Sequence, residues 1–366
     1  MMAEMKQFSS KSLPIIQSNL LTWFKQEQRD LPWRKEYDPY HVWVSEIMLQ
    51  QTQVKTALPY HKRWLEALPT IRDVAEAEED TILKLWEGLG YYSRARNLQK
   101  AAKAIVEEHG GIFPQNYDDI RKLPGVGPYT AGAITSIAFN QEQPIVDGNI
   151  IRLIARLLNY SENTRLPKNV KKFWERAEKM IPQGEARNFN QGMMEFGALM
   201  CTPKNPKCGE CPLQSECKGY EAGGAAQLPN RGPKQEKVPI KVAIVVISAP
   251  NLANKIFIQK RQHGGLMGGL WEFPGGKCEA NETPKKALNR EIKEELGITL
   301  KNIKPLKRIK HAYTKYSVDL HCFKADHDQG ELSLNSATDH RWVDVTELEQ
   351  FPFPAANVRL IKELLK

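Results

Sequence analysis

Four cysteines, Cys201, Cys208, Cys211 and Cys217, are spaced C-x6-C-x2-C-x5-C. Thiolates this close together hold either zinc or an iron–sulfur cluster. Common zinc modules separate two Cys-x2-Cys pairs by about 15 to 20 residues, and this quartet is tighter, with a single x2 pair. The remaining cysteines, Cys278 and Cys322, stand alone. In a reducing compartment such a quartet reads as metal-binding rather than disulfide-bonded. It would brace a loop carrying Lys204, Lys207 and Lys218 toward phosphate.

Two carboxylates come next. Asp147 precedes the amphipathic run GNIIRLIARLL, where an Asp is a preferred helix N-cap. A cap also fixes the carboxylate, so one oxygen can still face a cleft. Glu46 lies in DPYHVWVSEIMLQQTQV, where Asp38 and Pro39 make a helix start. Val44, Ile47, Met48, Val54 and Leu58 trace the apolar stripe of a helix over 40–58, and Glu46 lies off it. By periodicity Glu46 is a solvated helix residue; an acid at a cleft edge is the sharper alternative.

LPGVGPYTAGAI (123–134) follows the short helical run YDDIRK. Its two glycines, Gly125 and Gly127, allow a tight turn and close approach of another chain. Pro128 suits a first helical position, and the N–H groups at such a start can hold a phosphate oxygen. The alternatives are a DNA-gripping hairpin and a plain turn. GLGYYSRARN sets two tyrosines beside Arg94 and Arg96, a combination suited to base stacking and phosphate contact, or to an ordinary core.

These residues need a frame. Amphipathic runs at 15–27, 40–58, 72–87, 93–108, 128–139, 148–158, 167–180 and 188–199 predict an all-α domain of non-bundle type over 1–220. Residues 221–237, polar and rich in Gly and Pro, read as a linker. Beyond it, strand-like stretches at 238–248, 254–261, 306–324 and 341–343, with helical runs at 283–296 and 355–365, predict an α+β module over 238–366. The formal charge of +9 suits a polyanionic partner. No run approaches the length needed to span a bilayer, so no membrane partner is expected, and the N-terminus lacks a signal-peptide pattern. A cytoplasmic, nucleoid-associated monomer is the expectation.

Taken together, LPGVG, VDGNI and the cysteine quartet resemble the endonuclease III superfamily of helix–hairpin–helix DNA glycosylases. Within it, LPWR, WVSEIMLQQTQV and WEGLGYYSRARN resemble the adenine glycosylase family, MutY. The resemblance implies a 4Fe–4S cluster in a loop over 201–217, a Nudix-like lesion-recognition domain, and double-stranded DNA bearing A:8-oxoguanine or A:G mispairs as partner. It makes Glu46 a general acid and Asp147 the stabiliser of an oxocarbenium-like sugar, with Tyr129 and Asn149 in support. Trp33, Arg34 and Gln191 match residues lining the adenine pocket, and Gln51 and Tyr91 match residues that wedge the duplex. Tyr129 stands where bifunctional members carry a nucleophilic Lys; a phenol forms no Schiff base, so a monofunctional hydrolase is expected.

The second domain departs from the family pattern twice. Residues 276–298 fit the complete Nudix signature, with Glu282, Glu291, Glu294 and Glu295 as its acidic members. An inherited scaffold and a working box that holds Mg²⁺ against a pyrophosphate both fit the residues. The loop that reads 8-oxoguanine, commonly Phe-Ser-His, here gives Tyr313, Thr314 and Lys315. Competing readings are an endonuclease III-like lyase, a nucleotide pyrophosphatase with a DNA-binding arm, and a non-enzymatic iron–sulfur DNA binder.

Overall fold

A computed structural model describes residues 5–233, 236–248, 255–265, 267–313 and 315–366. The chain forms two compact units: Met1–Ala75 with Asn97–Lys234, and Glu76–Arg96 with Gln235–Lys366.

The first unit is helical. Helix Ala186–Leu199 is its hub, packing against Ser12–Glu27, Pro128–Phe139 and Gly148–Leu157. Ile16, Leu20, Phe24, Leu153, Ile154, Phe189, Met193 and Phe196 interlock at this junction. Helix–helix contact needs close approach at one point: a Cβ on Gly197 would stand 2.6 Å from the Cβ of Asn149. Glycine there lets the hub helix close on the start of Gly148–Leu157.

The expected helix over 40–58 is two helices, Pro39–Leu49 and Val54–Ala67. Gln51 breaks the run with φ +58°, a left-handed conformation that a side-chain-bearing residue rarely adopts. The stripe also misled, because Pro39–Leu49 is buried almost all round, Ser45 and Glu46 included. A helix enclosed on every side has no solvent face to set a periodicity. The run at 72–87 likewise divides into Ile71–Glu76 and Glu79–Leu85, where Glu78 turns extended as the second helix's cap.

The stretch expected as a linker starts out pinned to the helical unit. Leu228 is buried and its carbonyl accepts from Arg156 Nε at 3.0 Å, while the Asn230 carbonyl accepts from Thr164 N at 2.9 Å.

The second unit is built on a sheet. Among the described residues it has seven strands: β1 Val238–Ser248, β2 Lys255–Arg261, β3 Trp271–Glu272, β4 Gly275–Lys277, β5 Leu300–Ala312, β6 Tyr316–His327 and β7 Ala337–Asp344. The path runs β3-β2-β1-β6-β5, with β4 on β1 and β7 on β2. β1 and β6 are parallel; the other pairs are antiparallel. The expected stretch 306–324 is a hairpin of β5 and β6. Side chains alternate across β1. Ile244 and Val246 face a core completed by helix Ala355–Leu364, and Ala243, Val245 and Ile247 face one completed by helix Pro284–Leu296. Both faces are covered, so this strand reads as a continuous apolar run.

Segment Glu76–Arg96 belongs to this second unit by its contacts. Asp80 accepts from Lys260 Nζ at 2.7 Å and from Trp271 Nε1 at 3.2 Å. Phe353 N donates to Glu87 Oε1 at 2.8 Å, and the buried Tyr92 hydroxyl donates to the Phe353 carbonyl at 3.1 Å.

Candidate active site

One cleft of the helical unit is lined by Trp33, Arg34, Glu46, Tyr129, Asp147, Asn149 and Gln191. Five separate segments of chain deliver them: the turn Pro32–Arg34, and the helices Pro39–Leu49, Pro128–Phe139, Gly148–Leu157 and Ala186–Leu199.

Two of its acids, Glu46 and Asp147, live in different surroundings. Glu46 is 4% exposed. Burial, with Asp147 nearby, pushes its carboxyl up to about 7, against the lowering pull of the Tyr129 hydroxyl and of Arg34. Tyr129 Oη donates to Glu46 Oε2 at 3.0 Å and lies 3.2 Å from Met194 Sδ. Asp147 caps its helix as expected. Oδ1 accepts from Asn149 N at 2.9 Å and Ile150 N at 2.8 Å, and Oδ2 accepts from Asn149 Nδ2 at 2.7 Å. Asn149 Oδ1 in turn accepts from Arg152 Nη2 at 2.8 Å. Burial pushes Asp147 up as well; the three donors and Arg152 oppose it. Three hydrogen bonds favour the anion of Asp147, against one for Glu46.

An ion network, invisible in the sequence, forms part of the cleft lining. Glu195 is bidentate to Arg29, at 2.6 and 2.7 Å, and also accepts from Arg34 Nη2 at 3.0 Å. Arg34 Nε donates to Gln191 Oε1 at 3.0 Å. Arg29 and Glu195 stand 166 positions apart, so no local pattern links them.

Other predicted residues lie elsewhere. Gln51 is exposed at the helix break and outside the cleft lining. Tyr91 belongs to the second unit, with φ +50° and 43% exposure, and Arg94 stacks over its ring at 5.5 Å. Both predicted wedge residues thus sit in exposed turns with positive φ. Tyr313 packs edge-on to His311 with centroids 4.5 Å apart, and Lys315 is exposed in the same β5–β6 turn. Thr314 lies outside the described residues. Gly125, at φ +77°, turns the hairpin between Tyr117–Lys122 and Pro128–Phe139, and Gly127 caps the second helix.

The cysteine quartet surrounds one small cavity, and none of the four is in a disulfide. Arg156, 1% exposed, points a guanidinium at it: Nη1 is 3.2 Å from Cys201 Sγ and 2.8 Å from the Thr202 carbonyl. Arg152 Nε donates to the Cys201 carbonyl at 2.7 Å. A buried cation facing sulfur, with a second on the same residue's carbonyl, fits an anionic thiolate-bound group. Among the described residues no three His, Cys, Asp or Glu converge on a single ion. Arg152 and Arg156, four residues apart within an apolar helix, were the available sequence signal for this anchor. Lys204, Lys207 and Lys218 are exposed around the loop.

In the second unit Arg290 gathers the acids of the Nudix signature. It bonds Glu282 at 3.0 Å, Glu291 at 2.9 Å and Glu294 at 3.2 Å, while Glu295 accepts from the buried Gln259 amide at 3.2 Å.

Comparison with known proteins agrees with this layout. Residues 44–181 match the HhH-GPD superfamily base excision DNA repair protein family, 201–217 the iron-sulfur binding domain of endonuclease III, and 243–363 the NUDIX domain. An adenine DNA glycosylase of Buchnera aphidicola is 37% identical over 304 residues, covering 80% of this chain and 85% of that protein. The chain belongs to the adenine DNA glycosylase family. Family members from mouse and human are 36% and 34% identical, and the chain spans 64% of the length of each. A thermostable thymine-DNA glycosylase superposes with a TM-score of 0.54 at 33% identity, over 58% of this chain and 98% of that one. An endonuclease III–DNA complex shares the helical fold, with a TM-score of 0.52 at 24% identity, over 59% of this chain and 99% of that one. Residues 201–217, which hold the quartet, are therefore the family's iron–sulfur site, and its cofactor is a 4Fe–4S cluster. The sheet unit is its Nudix-like domain.

Proposed function

We propose that this member of the adenine DNA glycosylase family hydrolyses the N-glycosidic bond of adenine mispaired with 8-oxoguanine or guanine in duplex DNA, and does so without cutting the strand. One observation carries the reading: Glu46 and Asp147 share one buried cleft, Glu46 with one hydrogen bond and Asp147 with three.

The chemistry follows from that contrast. An adenine anion is a poor leaving group, so cleavage needs a proton on the base. Glu46, held protonated near neutral pH by burial, supplies it at N7. As the bond breaks, positive charge grows on the sugar. Asp147, fixed by its own helix start, faces that charge as an anion, the division of labour seen in paired-carboxylate glycosidases. Tyr129 orients Glu46, and Asn149 holds Asp147. Water then adds to the sugar. Extruding the base costs a few kcal/mol, least at a mispair; Gln51 and Tyr91 are the wedge in this reading. The hairpin at Gly125 and Gly127 and the cluster loop grip phosphates, with the cluster bracing the loop. Tyr313, Thr314 and Lys315 read the opposite base. The Nudix signature serves as a scaffold, its acids drawn onto Arg290.

The test is a duplex bearing A opposite 8-oxoguanine, incubated with the enzyme and treated with alkali. Cleavage at the adenine strand only after alkali is expected. Cleavage without alkali would favour a lyase, and an intact strand with either treatment would overturn the proposal. Comparing rates opposite 8-oxoguanine and opposite guanine then measures how well a loop with Lys315 discriminates the lesion.

A further inference from the structure

Glu195 is 2% exposed, and all its hydrogen bonds go to arginine. Burial alone would raise its carboxyl, but the bonds from Arg29 and Arg34 bring it down to about 2. It is held as an anion, and Arg34 has every guanidinium nitrogen engaged. Arg34 uses Nη2 on Glu195 at 3.0 Å, Nη1 on the Arg29 carbonyl at 3.1 Å, and Nε on Gln191 Oε1 at 3.0 Å. Three nitrogens in three bonds leave this guanidinium one orientation.

That orientation decides which end of the Gln191 amide points where. An arginine has no acceptor atom, so the Gln191 atom facing Nε must be the oxygen. A flipped amide would set N–H against N–H. The amide nitrogen agrees from the other side, donating to the Arg187 carbonyl at 3.2 Å and meeting the Tyr37 hydroxyl at 3.4 Å. Gln191 and Arg34 both line the cleft. The remaining lone pair of a fixed amide oxygen accepts from an exocyclic amine and repels a carbonyl oxygen.

We infer that Glu195 is a positioning residue for base selection: through Arg34 it locks Gln191 with its oxygen as the acceptor, so the cleft admits a 6-aminopurine and rejects a 6-oxopurine. The inference rests on the glycosylase reading above and deepens it. Sites built around fixed hydrogen-bonding partners discriminate far better than apolar pockets of the same shape. Glu195 spends its carboxylate on the two arginines, so its effect on a base passes through Arg34 and Gln191.

The experiment uses the full chain with its cluster, as wild type, Glu195→Gln, Glu195→Asp and Arg34→Lys. Single-turnover release is measured from duplexes carrying adenine or hypoxanthine opposite 8-oxoguanine. Glu195→Gln should lower the adenine-to-hypoxanthine rate ratio roughly tenfold or more, the weight of one charge-assisted hydrogen bond. It should also raise KM for the adenine duplex more than it lowers kcat. Glu195→Asp should recover part of the ratio. Should Glu195→Gln fail to fold, Arg34→Lys carries the test, since an ammonium cannot span Glu195 and Gln191 together. An unchanged ratio in whichever of these variants folds overturns the inference. A wild type that releases no adenine would instead strike the glycosylase proposal, so the two failures are distinct.

Discussion

The pH profile of base release follows from the environment of Glu46. With its carboxyl at about 7 rather than the ordinary 4.5, the acid form persists into the working range. At pH 7.5 roughly a quarter of the molecules carry the proton, against about one in a thousand for an unperturbed glutamic acid. The shift is therefore worth roughly two-hundred-fold in competent enzyme at that pH. Single-turnover kcat/KM, measured from pH 5.5 to 9 on a duplex with A opposite 8-oxoguanine, should fall through an apparent pKa near 7. Above it the decline should approach about tenfold per pH unit. Tyr129→Phe removes a donor that favours the glutamate anion, so the falling limb should move to higher pH. A rate that climbs steadily between pH 6 and 8 would refute the acid assignment, as would Glu46→Gln activity equal to wild type.

Other consequences are testable on the same protein and its variants. Asp147→Asn keeps a good helix cap but removes the anion, so the melting temperature should hold within a few degrees while base release falls on the order of a hundredfold or more; parallel losses of both would reduce Asp147 to a cap. A carboxyl raised in the folded state lets the unfolded chain lose its proton first, so stability declines as pH climbs from about 4.5 to about 7. Glu46→Gln removes that cost: denaturant titrations should show little difference from wild type at pH 4.5 and a variant more stable by about 3 kcal/mol at pH 8. Stripping iron removes the anionic group beside which Arg156 is held at Cys201 Sγ. Hydrogen exchange should then quicken across 201–228 and DNA affinity should drop, while the second unit's protection stays put; unchanged exchange in the loop would rule out the bracing role.

Local chemistry was legible without coordinates wherever one stretch of chain carries the whole argument. The cap at Asp147 needs only the next three residues, the hairpin needs Gly125, and the quartet is confined to 201–217. In the sheet domain the long strands and both helices were legible, but β3 and β4, two and three residues long, are too short to show a pattern. The acidity of Glu46 could not be read this way. Its helix shows a stripe that leaves position 46 outside, and only packing on every side makes that position dry. Burial belongs to the assembled fold and not to a window of sequence. The same holds for Glu195, whose partners lie more than 150 residues away, and for Glu76–Arg96, which reads as one more stretch of the helical domain yet bonds to residues near 260 and 353. The sequence alone determined which side chains were on offer and which turns and caps held them. Tertiary structure decided their protonation and partners, because desolvation and ion pairing depend on neighbours that the chain brings together only when it folds.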